Sequence, residues 1–244
     1  MASSASSPRL SSSKLPVETD NLRRKLAEFL DSDFPGTSQK TGAFKFGVYA
    51  FFDYDREPIY VGQTKEGLRT RIRRHLTNQR TDAVAMNVLD PFEVFEVAVW
   101  PLPQQPSKGY TPSNCELNAL ERAVWEMAIR ESRFKAILNE KDPPKIEESP
   151  YSAGKLPPCH RGIIVSPEVD ALRGHPDIRL ARRAETIAHL SRVVVERHVS
   201  GGLRRTLAIQ AERLAALARD RFDALGGPRT VEIGPEDAQD EDSK

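Results

Sequence analysis

Cysteine is scarce: Cys115 and Cys159 are the only two in 244 residues. Two thiols cannot build a disulfide framework or a zinc site made mainly of thiolates, and both are expected to be reduced. Charge of one sign is lacking as well, since 36 Lys and Arg face 35 Asp and Glu for a net +1. That balance excludes a protein that holds nucleic acid by bulk charge and leaves room only for a local basic patch. No apolar run approaches the roughly 20 residues of a membrane-spanning helix, and no charged-then-apolar signal segment opens the chain. The chain therefore reads as cytoplasmic, with no membrane partner. Walker loops, dinucleotide fingerprints and internal repeats are absent too. With 39% hydrophobic residues, this length holds one catalytic-size domain plus appendages.

What is present divides the chain. Residues 1–20 are serine-rich and read as a disordered leader. Leu22, Leu26, Phe29 and Leu30 recur at helical spacing until Pro35-Gly36 stops them. Phe44 to Phe52 and Pro58 to Gly62 are extended patterns flanking the turn Asp53-Tyr54-Asp55-Arg56, which predicts an antiparallel hairpin. Leu68, Ile72 and Leu76 mark a helix, Phe92 to Trp100 a third strand, and Asn114 to Leu138 a long helix. The expected class is α/β (α+β), with these strands and helices in one domain over 21–140. Residues 141–166 read as a proline-rich connection and 167–226 as a C-terminal helical hairpin broken at Ser200-Gly201-Gly202. Its seam would be Leu207, Ala211, Leu214, Ala218, Phe222 and Leu225, suited to a homodimer or a protein partner. Residues 227–244 form an acidic, disordered tail.

Chemistry concentrates in the hairpin and the helix after it. Pairing Phe51 with Pro58 sets Tyr49 opposite Tyr60 on one face, either as core filler or as a pair of neighbouring hydroxyls. In the following helix Arg71 and His75 stand four apart beside the apolar stripe. From Lys65 to Arg80 six basic residues meet one acid, Glu66. A stripe of one sign suggests an anionic partner, with Lys65, Arg69, Arg73 and Arg80 placed to contact phosphates.

These residues resemble the GIY-YIG nuclease family: Gly47-Val48-Tyr49, then Tyr60-Val61-Gly62, then LRTRIRRH from Leu68 to His75, with Val for Ile in both triplets. The Arg-then-His spacing is closest to the restriction-endonuclease-like branch. The resemblance covers about Phe46 to Asn139. It implies a small three-stranded antiparallel sheet flanked by helices and metal-dependent cleavage of DNA phosphodiesters, with Mg²⁺ or Mn²⁺ as cofactor and restriction or phage defence as the setting. The alternative is a non-cleaving nucleic-acid-binding or partner-adaptor module on the same fold. By resemblance, Tyr49 orients or deprotonates the attacking water, Tyr60 positions a phosphate oxygen or the water network, and Arg71 clamps the phosphate. An unperturbed phenol with a pKa near 10 is a poor base at neutral pH, so His75 would assist Tyr49 or else be a satisfied buried histidine. Gly47 and Gly62 permit close approach of substrate or serve as plain strand ends.

The resemblance places one metal carboxylate in the helix after the third strand, and Glu116, Glu121 and Glu126 stand there. Ser113 with Glu116 makes a capping box. Glu121 shares the apolar stripe of Leu117, Leu120, Val124 and Ala128, where a carboxylate needs a partner. Glu126 lies about 140° around the helix, among arginines. Glu121 is favoured as the metal ligand, with Glu126 as the alternative. The family's later Asn has a candidate in Asn139, eighteen residues after Glu121. Cys159-His160 has no second ligand pair nearby and reads as structural.

Overall fold

A computed structural model describes residues 15–77, 89–103, 109–196 and 201–227. Its elements are α1 (Val17–Asp31), β1 (Phe46–Phe52), β2 (Pro58–Thr64), α2 (Leu68–Thr77), β3 (Glu96–Leu102), α3 (Asn114–Glu131), β4 (His160–Ile163), α4 (Pro167–Arg173), α5 (Pro176–Glu196) and α6 (Gly201–Ala224). The acidic tail from 228 onward, residues 1–14 of the leader and Arg80 lie outside the described residues.

The strands form one antiparallel sheet in the order β2-β1-β3-β4. The α+β class stands, but the sheet has four strands and not three. The extra one, β4, lies inside the proline-rich connection and pairs Val97 with Gly162 and Val99 with His160. Its sequence, HRGI, is too short and too polar to show alternation. Pairing to β3, more than sixty residues upstream, makes it a strand.

β1 is buried at every position because both its faces are covered. Phe46, Val48, Ala50 and Phe52 meet Leu117, Leu120, Val124 and Ala128 of α3. Tyr49 and Phe51 point the other way, into a core with Leu22, Leu26 and Leu30 of α1, Leu68 and Ile72 of α2, Leu190 of α5 and Leu203 of α6. β2 is left as an edge strand, within reach of helices from both layers.

The hairpin register differs from the expected one. Tyr49 faces Gly62, and Phe51 faces Tyr60. The cause is local. Asp53 N–H donates to the Glu57 carbonyl at 2.9 Å, and Asp53 Oδ1 accepts the N–H groups of Asp55 and Glu57 at 2.8 and 3.0 Å. Arg56 turns the chain with φ 63°. Between the Phe52–Pro58 and Phe51–Tyr60 pairs the register then slips at a β-bulge, and Ile59 enters as the extra residue. The tyrosines are therefore diagonal neighbours with ring centroids 6.2 Å apart, still on one face.

Other boundaries moved for equally local reasons. α1 begins at Val17, after Pro16, with Glu18 and Asp20 in its first turn, so residues 17–20 of the expected leader are helical. β3 starts at Glu96, since Asp90 caps a 3₁₀ turn over Pro91–Glu93 by accepting the Phe92 N–H. α3 ends at Glu131, not Leu138. Ser132 donates its hydroxyl to Glu57 at 2.5 Å, and Leu138 N–H then donates to the Ile59 carbonyl at 3.1 Å, so this stretch runs along the edge of β2.

The C-terminal helices pack into the sheet's own core, and the expected seam is rotated. Ala211, Ala218, Phe222 and Leu225 are exposed, whereas Leu203, Thr206, Ile209, Gln210, Arg213 and Leu217 are buried. Buried arginines account for the rotation. Arg183 donates to Asp53 at 2.7 Å, Arg179 grips Asp55 with two bonds at 2.8 and 2.5 Å, and Arg213 donates to the Pro58 carbonyl at 3.0 Å. These arginines serve the β1–β2 turn, so the basic residues of this region are not simply a solvated face.

Candidate active site

The two tyrosine triplets meet because they sit on paired strands, and Gly62 is the point of contact. A Cβ there would lie 2.7 Å from both the Tyr49 hydroxyl and Tyr60 Cε1. Only glycine lets the Tyr49 phenol lie over the backbone of β2. Gly47 acts differently, since its Cβ would lie 2.7 Å from the Trp100 carbonyl on β3, which makes it a close-packing position inside the sheet.

α2 brings the basic groups to this face, since Ile72 and Leu76 anchor it in the core. His75 Nε2 lies 2.6 Å from the Tyr49 hydroxyl, and Arg71 Nε donates to the same oxygen at 3.3 Å. Tyr60 lies nearby, its ring centroid 5.3 Å from that of His75 and tilted against it by 54°. Tyr49 and His75 are both fully buried, while Tyr60 and Arg71 are half-buried. Burial pushes the Tyr49 phenol well above its usual pKa, Tyr60 adds to the shift, and Arg71 opposes it. Tyr49 is thus a neutral phenol. A guanidinium can only donate, so the phenol oxygen accepts from Arg71, and its own proton is free to go to His75 Nε2 when that nitrogen is unprotonated.

Glu121 approaches from the opposite layer, across the edge strand, near enough for its charge to act on Tyr49. It is half-buried, and Gln63 Nε2 donates to its Oε2 at 3.0 Å and to Asn118 Oδ1 at 2.7 Å. Burial raises the Glu121 carboxyl to about 7, against the Gln63 hydrogen bonds and the Arg71 charge. Arg71 therefore lies within electrostatic reach of both Tyr49 and Glu121. Glu126 is exposed and accepts from Arg122 at 2.6 Å. Ser113 caps the helix by accepting the Glu116 N–H at 3.0 Å, but the other half of the capping box does not form, since the Glu116 carboxylate accepts from Tyr110 at 2.6 Å. Sequence reasoning missed Gln63 and Asn118. Their only signal was Gln63 directly after the second triplet.

The remaining candidates separate. Arg69 is not on an outward stripe: its guanidinium donates to the Leu30 carbonyl at 3.1 Å and to Asp31 at 2.5 Å, fastening the end of α1 to α2. Arg73 is exposed, and Lys65 donates to Asn114 at the start of α3. Asn139 is buried and mimics a strand, accepting the Val61 N–H at 3.0 Å and donating to the Val61 carbonyl at 2.7 Å. It closes the edge of β2 between Tyr60 and Gly62. His160 bonds Thr41 at 2.7 Å and packs on Phe29, and Cys159 is a free thiol. Among the described residues no three His, Cys, Asp or Glu side chains converge as a protein-built metal cage would. A hard cation at Glu121 fits on another observation: Gln63 Oε1, on the amide that bonds Glu121, is buried with no hydrogen-bond partner among the described residues. An oxygen-rich, half-open site of this kind suits Mg²⁺, which keeps several waters and leans on one or two protein groups plus substrate phosphates.

Residues 45–108 match the family model of the GIY-YIG catalytic domain, so the resemblance read from the two triplets is borne out over that segment. Proteins of that family are endonucleases that act on DNA, and the match supports nuclease chemistry in general. The match stops before Glu121. No curated protein and no solved structure matches the chain. Among the described residues no helix is long and apolar enough to cross a membrane.

Proposed function

We propose that the protein is an endonuclease that hydrolyses DNA phosphodiesters with a divalent cation, Mg²⁺ or Mn²⁺, at Glu121. The observation that carries this reading is the buried Tyr49–His75 contact lying under Arg71. Arg71, permanently charged and planar, binds the scissile phosphate and offsets charge in the phosphorane. As the phosphate draws the guanidinium outward, the Tyr49 hydroxyl opens to water. Water then gives a proton to the Tyr49 oxygen while Tyr49 passes its own to His75 Nε2. The hydroxide forms the new P–O bond, the bond to the leaving oxygen breaks, and solvent protonates that oxygen. His75 is the proton acceptor because a phenol with a raised pKa cannot hold the negative charge itself. Tyr60, half-exposed beside the pair, positions the water or a phosphate oxygen. When bound, the cation supplies positive charge to the phosphate oxygens. Lys65 and Arg73 contact flanking phosphates.

The four-residue spacing of Arg71 and His75, shared with the restriction branch, favours a restriction or anti-phage role. Incubating the full-length protein with supercoiled plasmid tests the activity: nicking or linearisation with Mg²⁺, and none with EDTA, is expected. Binding without cleavage in both Mg²⁺ and Mn²⁺ would overturn it in favour of the non-cleaving module.

A further inference from the structure

We infer that Gln63 is a second protein group of the cation site, aiming Glu121 with its amide N–H and offering its own carbonyl oxygen to the cation or to a water the cation holds. The inference rests on the reading of Glu121 as the metal carboxylate.

Gln63 sits near the end of β2, and its side chain turns away from the tyrosines toward α3. Its amide orientation follows from its neighbours. Nε2 donates to Glu121 Oε2 at 3.0 Å and to Asn118 Oδ1 at 2.7 Å. Turned around, the amide would press its oxygen against a carboxylate oxygen, lone pair to lone pair. In the favourable orientation both N–H groups are used, and Oε1 is left buried without a hydrogen-bond partner among the described residues.

A buried carbonyl without a partner is costly, so its persistence at this place calls for one from outside the chain. The oxygen belongs to the same amide that touches Glu121. Glu121 in turn has no ion pair among the described residues, only the more distant Arg71 charge. A carboxylate and an amide oxygen side by side are the donor types that hard cations take, and a lysine or arginine in the gap would have excluded one. Asn118 completes the arrangement by holding the amide from the side away from Glu121.

The inference is tested by measuring Mn²⁺ affinity of the full-length protein without DNA, by calorimetry or electron paramagnetic resonance at pH 8, with thermal melts in EDTA to check folding. Glu121→Gln should lose binding. Gln63→Met, similar in shape but without donor or oxygen, should weaken it about tenfold or more. Gln63→Glu restores an oxygen and adds charge, so it should bind at least as tightly as the wild type. If any Gln63 variant fails to fold, Gln63→Asn, which withdraws the amide by one methylene, replaces it and should also bind weakly. Wild-type affinity in Gln63→Met beside a lost Glu121→Gln overturns the inference. A Gln63→Glu as weak as Gln63→Met removes the oxygen's part in it. Undiminished binding by Glu121→Gln instead overturns the reading of Glu121 itself.

Discussion

The Tyr49 hydroxyl and His75 Nε2 lie 2.6 Å apart, and neither side chain has solvent-accessible surface. Arg71 approaches the same oxygen at 3.3 Å and can only donate. With His75 neutral and bare at Nε2, the hydroxyl proton points at that nitrogen and the ring proton sits on Nδ1. Tautomer, phenol orientation and guanidinium position are mutually consistent, so a change in any one disturbs the other two.

Tyr49→Phe and His75→Ala should each reduce cleavage by about 10²–10⁴-fold, the range of general acid–base assistance. The double variant should lose little more than the worse single one, because the residues act as a unit. Single-turnover rates on plasmid decide it, and multiplied losses would mean that the two act separately. His75→Ala should also lower unfolding free energy by about 1–3 kcal/mol, as it strands a buried hydroxyl.

Arg71→Ala should slow cleavage by about 10²-fold or more while leaving the fold intact, since the guanidinium lies at the rim of the site. Arg71→Lys should recover little of the loss, because an ammonium cannot reproduce the planar fork. A wild-type rate in Arg71→Ala would remove the phosphate clamp from the mechanism.

Glu121 carries a pH signature. In the metal-free fold its carboxyl is raised from 4.5 to about 7, chiefly by burial. The folded state thus holds a proton that the unfolded chain has released. Stability from this group is full below about pH 4.5 and is lost as pH rises through about 7. Glu121→Gln should flatten that decline in EDTA, abolish Mg²⁺-dependent cleavage and leave DNA binding in place. Glu126→Gln, at the exposed pair with Arg122, should be nearly silent in all three. Melting curves from pH 4.5 to 8 and a nicking assay separate the two carboxylates.

The basic residues of α2 should divide by role. Arg73→Glu should lower the slope of log affinity against log salt by roughly 0.9 for each phosphate contact removed from duplex DNA. Arg69→Ala should leave that slope unchanged but lower the melting temperature, since it unfastens α1 from α2. Filter binding at several salt concentrations measures the first, and a melt the second. Swapped outcomes would place the DNA along α1.

Arg183→Ala should destabilise the protein by about 3 kcal/mol, because buried Asp53 would lose its closest ion pair and keep only Arg179, at 4.0 Å, and two backbone N–H groups. Denaturant unfolding measures it. Replacing Asp53 by Asn in the same chain should restore part of the loss, a recovery that a pure packing role for Arg183 would not produce.

What could be read in advance was short-range. The two triplets, the turn between them, the Arg71–His75 spacing and the inward face of Glu121 are all set within a few residues, and local patterns carry that information. The register was not legible, because it depends on the left-handed turn at Arg56 and the bulge at Ile59, neither of which has a glycine to announce it. β4 was hidden because its only strand signal is its partner. The burial of Arg183 and Arg179 had no local sign either, since their carboxylates, Asp53 and Asp55, are 130 and 124 residues away in sequence. Gln63 and Asn118 were passed over for the same reason: the bond that joins them spans 55 residues.

The grip of Arg179, Arg183 and Arg213 on the β1–β2 hairpin bears on how this chain can be recombined. The stretch that matches the catalytic domain ends at residue 108, yet the turn that fixes the tyrosines is held by residues beyond 170. Shuffled onto another protein, that stretch alone would carry both tyrosines, Arg71 and His75, and arrive without Glu121 or the arginines that seat the turn. Its inheritable cassette is therefore smaller than its working part. A graft that aims to move the chemistry should take the strand, the carboxylate helix and the C-terminal arginines together, or supply new partners for Asp53 and Asp55.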